Sequence, residues 1–194
     1  MLTNIRLAWL GLALGLLAAC SAPAVVDEPP VAMGDFRLGH NIVVVDNPEI
    51  GPFSRSVEDS VWQERLTQAM ADRFGSYEGD NYYHIGIKMD LYALAQPGVP
   101  VVFTPKSVLV LTVNIWDDET GEKVNAEEKA LTVFEGASAE TIIGSGLVRG
   151  KAKQMEVLSN NAAKAIQDWI LENPEWVGLP PLTQPDEEAP ETDN

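Results

Sequence analysis

Three cations, Arg149, Lys151 and Lys153, fall where a glycine-rich stretch, Gly136 to Gly150 (GASAETIIGSGLVRG), runs into an apolar-periodic segment. A helix N-terminus already carries partial positive charge, so further cations there suit an anion, such as a phosphate or carboxylate from a lipid headgroup or a partner. The same stretch does not make a nucleotide cradle. In GSGLVRGKA only Leu147, Val148 and Arg149 separate Gly146 from Gly150, one residue too few, and Ala152 stands where a metal-binding Ser or Thr is needed. His40 and His84 lie apart, one at a strand entry and one on a strand, and Cys20 is the single cysteine, so no zinc-ligand spacing is present. Ser145, in Ile143-Gly144-Ser145-Gly146-Leu147, lacks the glycine spacing of a nucleophile elbow, and Asp117, Asp118 and Glu119 do not follow a calcium-loop pattern. A nucleophile, base and stabiliser cannot be assembled from these motifs, so a non-catalytic protein without cofactor or metal is expected, a hydrolase being the least favoured class.

Cys20 has its own chemistry. Behind Arg6 runs LAWLGLALGLLAA, with the charged lead, apolar middle and small-residue exit of a secretory signal, and shorter than the roughly 20 apolar residues of a spanning helix. The Leu17-Ala18-Ala19-Cys20 ending resembles the lipobox of bacterial lipoproteins. That resemblance implies thiol acylation of Cys20, removal of residues 1–19 and, with Ser21 rather than Asp after the Cys, an outer-membrane destination facing the periplasm. A lone cysteine excludes a disulfide framework, so the exported domain must hold together by packing.

Loss of residues 1–19 removes one Arg and no acid, leaving 12 basic against 29 acidic side chains, a net of about −17. Such a field opposes nucleic-acid phosphates and anionic lipid surfaces and favours basic partners. A hydrophobic content of 45% supports a folded chain.

The elements that position these residues follow in order. Residues 20–35 hold three prolines and no periodicity and read as a tether spanning on the order of 20 Å. Asn41 to Asp46 (NIVVVD) suits a buried strand. Ser56 and Asp59 resemble a capping box, after which Trp62, Leu66, Ala69, Met70 and Phe74 recur at helical spacing until Gly75. From Tyr82 the period becomes two: Tyr83, Ile85, Ile87, Met89, Leu91 and Ala93 face one way, His84, Lys88, Asp90 and Tyr92 the other. Lys106 to Trp116 alternates again, with Leu109, Leu111, Val113 and Ile115 on its apolar face. A tight connection at Asp117 to Lys123 leads to a returning strand, Glu128 to Glu135. Met155, Leu158, Ala162, Ala165, Ile166, Trp169 and Ile170 build a last amphipathic helix that stops at Asn173-Pro174. The expectation is a single α+β domain over residues 36–180, β-α-β-β-β-α, with an antiparallel-dominated sheet of about four strands. Both helices lie on one face, and Trp116, Tyr92, Val108 and Val110 lie on or near the other. Residues 181–194, with five acids and no base, read as a disordered tail.

Two connections are apolar where loops are usually polar. One holds Val99, Val101, Val102 and Phe103; the other holds Ile142, Ile143, Leu147 and Val148. In an up-down-up meander both belong to the same end of the sheet, away from the tether, and would either crown it as a docking edge for a protein partner or fold back to plug it.

With lipobox, tether and this element order, the chain resembles small envelope lipoproteins of unknown function. More remotely, in layout, it resembles the auxiliary lipoproteins of ABC-type transport systems and the lipoprotein that plugs the lipopolysaccharide-transport barrel. What that resemblance implies is accessory or scaffold work on an envelope transport or assembly complex, anchored to the membrane through Cys20. The alternative is a lipid- or anion-binding module built on the loop before the last helix.

Overall fold

The computed structural model describes residues 31–96, 107–135 and 150–180. The chain divides into Met1–Ala32 and Met33–Asn194, and the second unit carries the fold. Its elements are β1 (Phe36–Val44), β2 (Glu49–Ile50), α1 (Asp59–Phe74), β3 (Asn81–Ala93), β4 (Val108–Asp117), β5 (Lys129–Phe134), α2 (Lys151–Leu171) and a closing 3-10 turn, Pro174–Val177. The sheet runs β1-β3-β4-β5, with β2 also on β3. β1 and β2 are parallel to β3, and β3, β4 and β5 form an antiparallel meander. This is the expected α+β architecture with one short strand added.

Alternation builds the inner face. Val43, Ile85, Ile87, Leu109, Leu111, Val113 and Val133 are buried, and so are Trp62, Leu66, Met70 and Phe74 of α1 and Leu158, Ala162, Ile166 and Ile170 of α2. Each set keeps the period of its element, so burial of one side of the sheet by two helices follows directly from the sequence. Aromatic contacts close the end where β1 begins: the Phe36 ring stacks on Tyr83 at 5.3 Å and meets Phe74 at 5.6 Å. The Tyr83 hydroxyl donates to the Trp176 carbonyl at 2.8 Å, and the Asp35 amide donates to the Val177 carbonyl at 2.9 Å, tying chain entry to chain exit.

The structure corrects several expectations. The first strand starts earlier, at Phe36, and an extra residue at Gly39-His40 bulges it between the Leu38–Tyr83 and Asn41–Ile85 pairs. On β3, Asp90 is a second extra residue, since Met89 pairs with Leu111 and Leu91 already with Val110. The bulge reverses the alternation. Tyr92, expected on the open face, is fully buried against Trp62 at 5.3 Å, while Leu91 leaves the core row. α1 has no capping box: Glu58 is its N-cap without a side-chain bond, and Asp59 accepts instead from the Asn47 amide at 3.3 Å. The connection after β4 is the expected tight turn: Asp117 Oδ1 accepts from the Glu119 and Thr120 amides, Gly121 supplies the left-handed residue, Trp116 pairs antiparallel with Lys123, and the regular ladder with β5 begins at Lys129.

Candidate functional site

The outer face of the sheet is the surface that the two helices leave open. Register places Ile42 of β1, Gly86 of β3 and Asn114 of β4 in one row, and Val44, Lys88 and Thr112 in the next. Gly86 has no side chain to fill its place. The Trp116 ring leans over it, and a trough of about 280 Å³ opens beside the ring, walled on its other side by Ile42 and Val44, with Lys88, Thr112, Asn114 and Glu128 around it. Ile42 is 54% exposed and Val44 47%. Tyr82 and Phe134 extend the exposed apolar row at opposite ends of the sheet.

Polar groups at the rim bond mainly to one another. Lys88 Nζ lies 2.9 Å from Asp90 Oδ1, and the Thr112 hydroxyl donates to Asp90 Oδ2 at 2.6 Å. Burial would push the Asp90 carboxyl up, but the hydrogen bonds from Thr112 and Lys88 outweigh it and hold the group below its usual value. The same contact raises Lys88, chiefly through its hydrogen bond to Asp90. Asn114 Nδ2 donates to Glu128 Oε1 at 3.2 Å, and Lys123 stands 5.5 Å over the Trp116 ring and 3.7 Å from Glu128. Beneath them Asn125, nearly fully buried, accepts from the Ile115 amide at 2.8 Å. It also donates to Asn114 Oδ1 at 3.2 Å and to the Glu127 carbonyl at 2.7 Å.

The histidines, read from the sequence as lying apart, are neighbours: parallel pairing of β1 with β3 brings their ring centroids to 4.7 Å. His84 Nδ1 accepts from the His40 amide at 2.8 Å, which assigns the proton to Nε2, and Nε2 donates to Asp118 Oδ1 at 2.8 Å. Both ring nitrogens are engaged. His84 in this tautomer has no nitrogen with which to take a proton from a hydroxyl. Among the described residues no group of three or more His, Cys, Asp and Glu stands together to hold a metal ion, and no helix is long and apolar enough to cross a membrane.

Of the residues singled out in the sequence, Lys151 and Lys153 are described. Lys151 Nζ donates to the Ser56 carbonyl at 3.3 Å, and Lys153 pairs with Glu156 at 2.6 Å, so both have partners on the protein itself. Cys20, Arg149, Val99, Val101, Val102, Phe103, Ile142, Ile143 and Leu147 lie outside the described residues, as do most of the tether and the acidic tail. The flanks of the two apolar connections do stand together: Ala93 pairs with Val108, and Val108 with Phe134, at the end of the sheet opposite Phe36. Ile42, Val44 and Gly86 were not singled out as a site. The available signal was Gly86 itself, an isolated glycine inside a strand pattern, which marks a bulge or a close approach of another group.

No family model matches the chain, and no curated protein matches it in sequence. Solved structures similar to it include a DUF330-family protein from Xanthomonas campestris, with 9% identity, a TM-score of 0.44, and coverage of 76% of this chain and 90% of that one. Another is a Caulobacter crescentus chain provisionally called a lipoprotein, with 15% identity, a TM-score of 0.32, and coverage of 71% and 89%. A third is a hypothetical protein of Chlamydia trachomatis, with 8% identity, a TM-score of 0.35, and coverage of 76% and 99%.

Proposed function

We propose that this chain is a lipid-anchored accessory protein of the cell envelope. It is tethered through an acylated Cys20 to the periplasm-facing side of the outer membrane and docks without turnover on a transport or assembly complex. The observation that carries the docking part is the division of the sheet: α1 and α2 cover one face, while the other presents Ile42, Val44, Tyr82, Trp116 and Phe134 on or near the surface. Non-catalytic work is supported by the polar groups beside that face. His84 is bonded at both nitrogens, and a carboxylate held below its usual value, as Asp90 is, makes a weak general base. Anchoring rests on the Leu17-Ala18-Ala19-Cys20 motif and the proline-bearing segment after it.

Two measurements test the two halves. Mass spectrometry of the purified N-terminus should find a lipid-modified Cys20, and Cys20→Ala should leave the protein in the soluble fraction. Photo-crosslinkers placed in cells at Ile42 and Val44 should capture one discrete envelope protein, whereas the same group at Lys164, exposed on α2, should not. Equal labelling from all three positions would remove the docking assignment.

A further inference from the structure

We infer that the trough over Gly86 seats an apolar side chain of a basic polypeptide segment, whose lysines or arginines lie against the acidic connection between β4 and β5. The inference rests on the docking assignment above and names the chemistry of the partner.

The trough itself selects an apolar group. Its walls are Ile42, Val44 and Trp116, and a space of about 280 Å³ accommodates a large aliphatic or aromatic side chain. The polar groups around it are committed to each other through the Lys88–Asp90–Thr112 and Asn114–Glu128–Lys123 contacts. The walls of Ile42, Val44 and Trp116 offer no partner to the hydroxyls of a sugar or nucleotide, whereas they suit an aliphatic or aromatic side chain.

Charge selects what carries that group. From Trp116 the chain passes into the β4–β5 connection, where Asp118, Glu119, Glu122, Glu127 and Glu128 are exposed and the exposed cation is Lys123. Glu128 is matched by Lys123, while Asp118 keeps its charge on accepting from His84 Nε2, which leaves the charges of Asp118, Glu119, Glu122 and Glu127 to act on an approaching partner. The whole chain has a formal net charge of −16. A second copy and an anionic lipid surface would both be repelled, while a basic segment is drawn in and held in register by the trough.

An unbiased peptide-display library panned against the full chain tests this, with the full-length Ile42→Asp and Val44→Asp variants and the Glu119→Lys/Glu122→Lys double variant beside it. Both apolar positions are about half exposed, so the Asp variants should keep the far-ultraviolet circular dichroism of the parent. The expected result is enrichment of peptides with several Lys or Arg around one large apolar residue. Their binding should fall about tenfold or more in each Asp variant, and also in the charge-reversed variant or on raising salt from about 50 to 500 mM. Enriched peptides that are neutral or acidic but still lost in the Asp variants would overturn the basic-partner inference and keep docking at the trough. Peptides that bind the Asp variants unchanged, or no enrichment, would overturn both. A dimer or bound lipid in the parent, absent from the Asp variants, would replace the polypeptide occupant with a second copy or a lipid.

Discussion

Gly86 lies beneath the edge of the Trp116 ring: a Cβ at position 86 would stand 2.7 Å from Trp116 Cζ3 and 3.1 Å from Cη2. Trp116 sits one register step along β4, facing His84, and leans diagonally into the space that the glycine leaves. Gly86→Ala should therefore displace the indole. Because the ring is partly exposed and can swing away, stability should change by no more than about 1 kcal/mol. The near-ultraviolet circular dichroism of the tryptophans should change clearly. A spectrum identical to the parent would mean that Trp116 does not rest on Gly86 in solution.

Asp90 makes acid stability measurable at one group. Its carboxyl is held below its ordinary value in the fold, so its contribution is fully present above the unfolded value, about pH 4, and is lost as the pH falls through the folded value. Asp90→Asn should cost about 1 kcal/mol at pH 7. In urea titrations that gap should close below about pH 4. A gap that stays constant down to pH 2 would assign the cost to packing at the bulge and not to the ionised carboxylate.

The bulge at Asp90 also shows where sequence periodicity stops being informative. From Tyr83 to Met89 the alternation is unbroken and legible, because each outward residue is followed by an inward one. One extra residue then inverts the phase, and nothing in Asp90-Leu91-Tyr92 announces it, since both phases place an apolar residue inside. Tyr92 enters the core because its hydroxyl finds the Val57 amide at 3.0 Å, a partner 35 residues away. The open-face trough was hidden for a related reason. Ile42, Gly86 and Trp116 belong to three strands, and only the register between those strands makes them neighbours. The helices and the central strands needed no such information: their buried stripes, Trp62 to Phe74 and Leu109 to Ile115, are complete within one element.

Asn125 should be the most costly polar residue to remove from the β4–β5 connection. It is 2% exposed and serves the Ile115 amide, Asn114 Oδ1 and the Glu127 carbonyl together. Asn125→Ala leaves a buried amide without its acceptor, so a loss of about 2–3 kcal/mol is expected from urea denaturation. Asn161→Ala, which removes an exposed bond to the Phe134 carbonyl, should cost less than about 1 kcal/mol. Equal costs at the two positions would mean that the connection is not held by its buried amide.

The clasp between β1 and β3 can be tested through its non-additivity. A Cβ at Gly39 would fall 2.4 Å from His84 Nδ1, the atom that accepts the His40 amide at 2.8 Å. Gly39→Ala should thus push the imidazole off its donor and cost about 1–3 kcal/mol. His84→Ala removes the same hydrogen bond and the one to exposed Asp118, for about 1 kcal/mol. Once the ring is gone the Cβ has space, so the double variant should be little worse than His84→Ala alone, giving a coupling of about 1 kcal/mol or more in a double-mutant cycle. Additive costs would place the strain of Gly39→Ala in the β1 backbone, where the nearest atom outside the imidazole, the Tyr83 carbonyl oxygen at 3.3 Å, would then be the group that cannot yield.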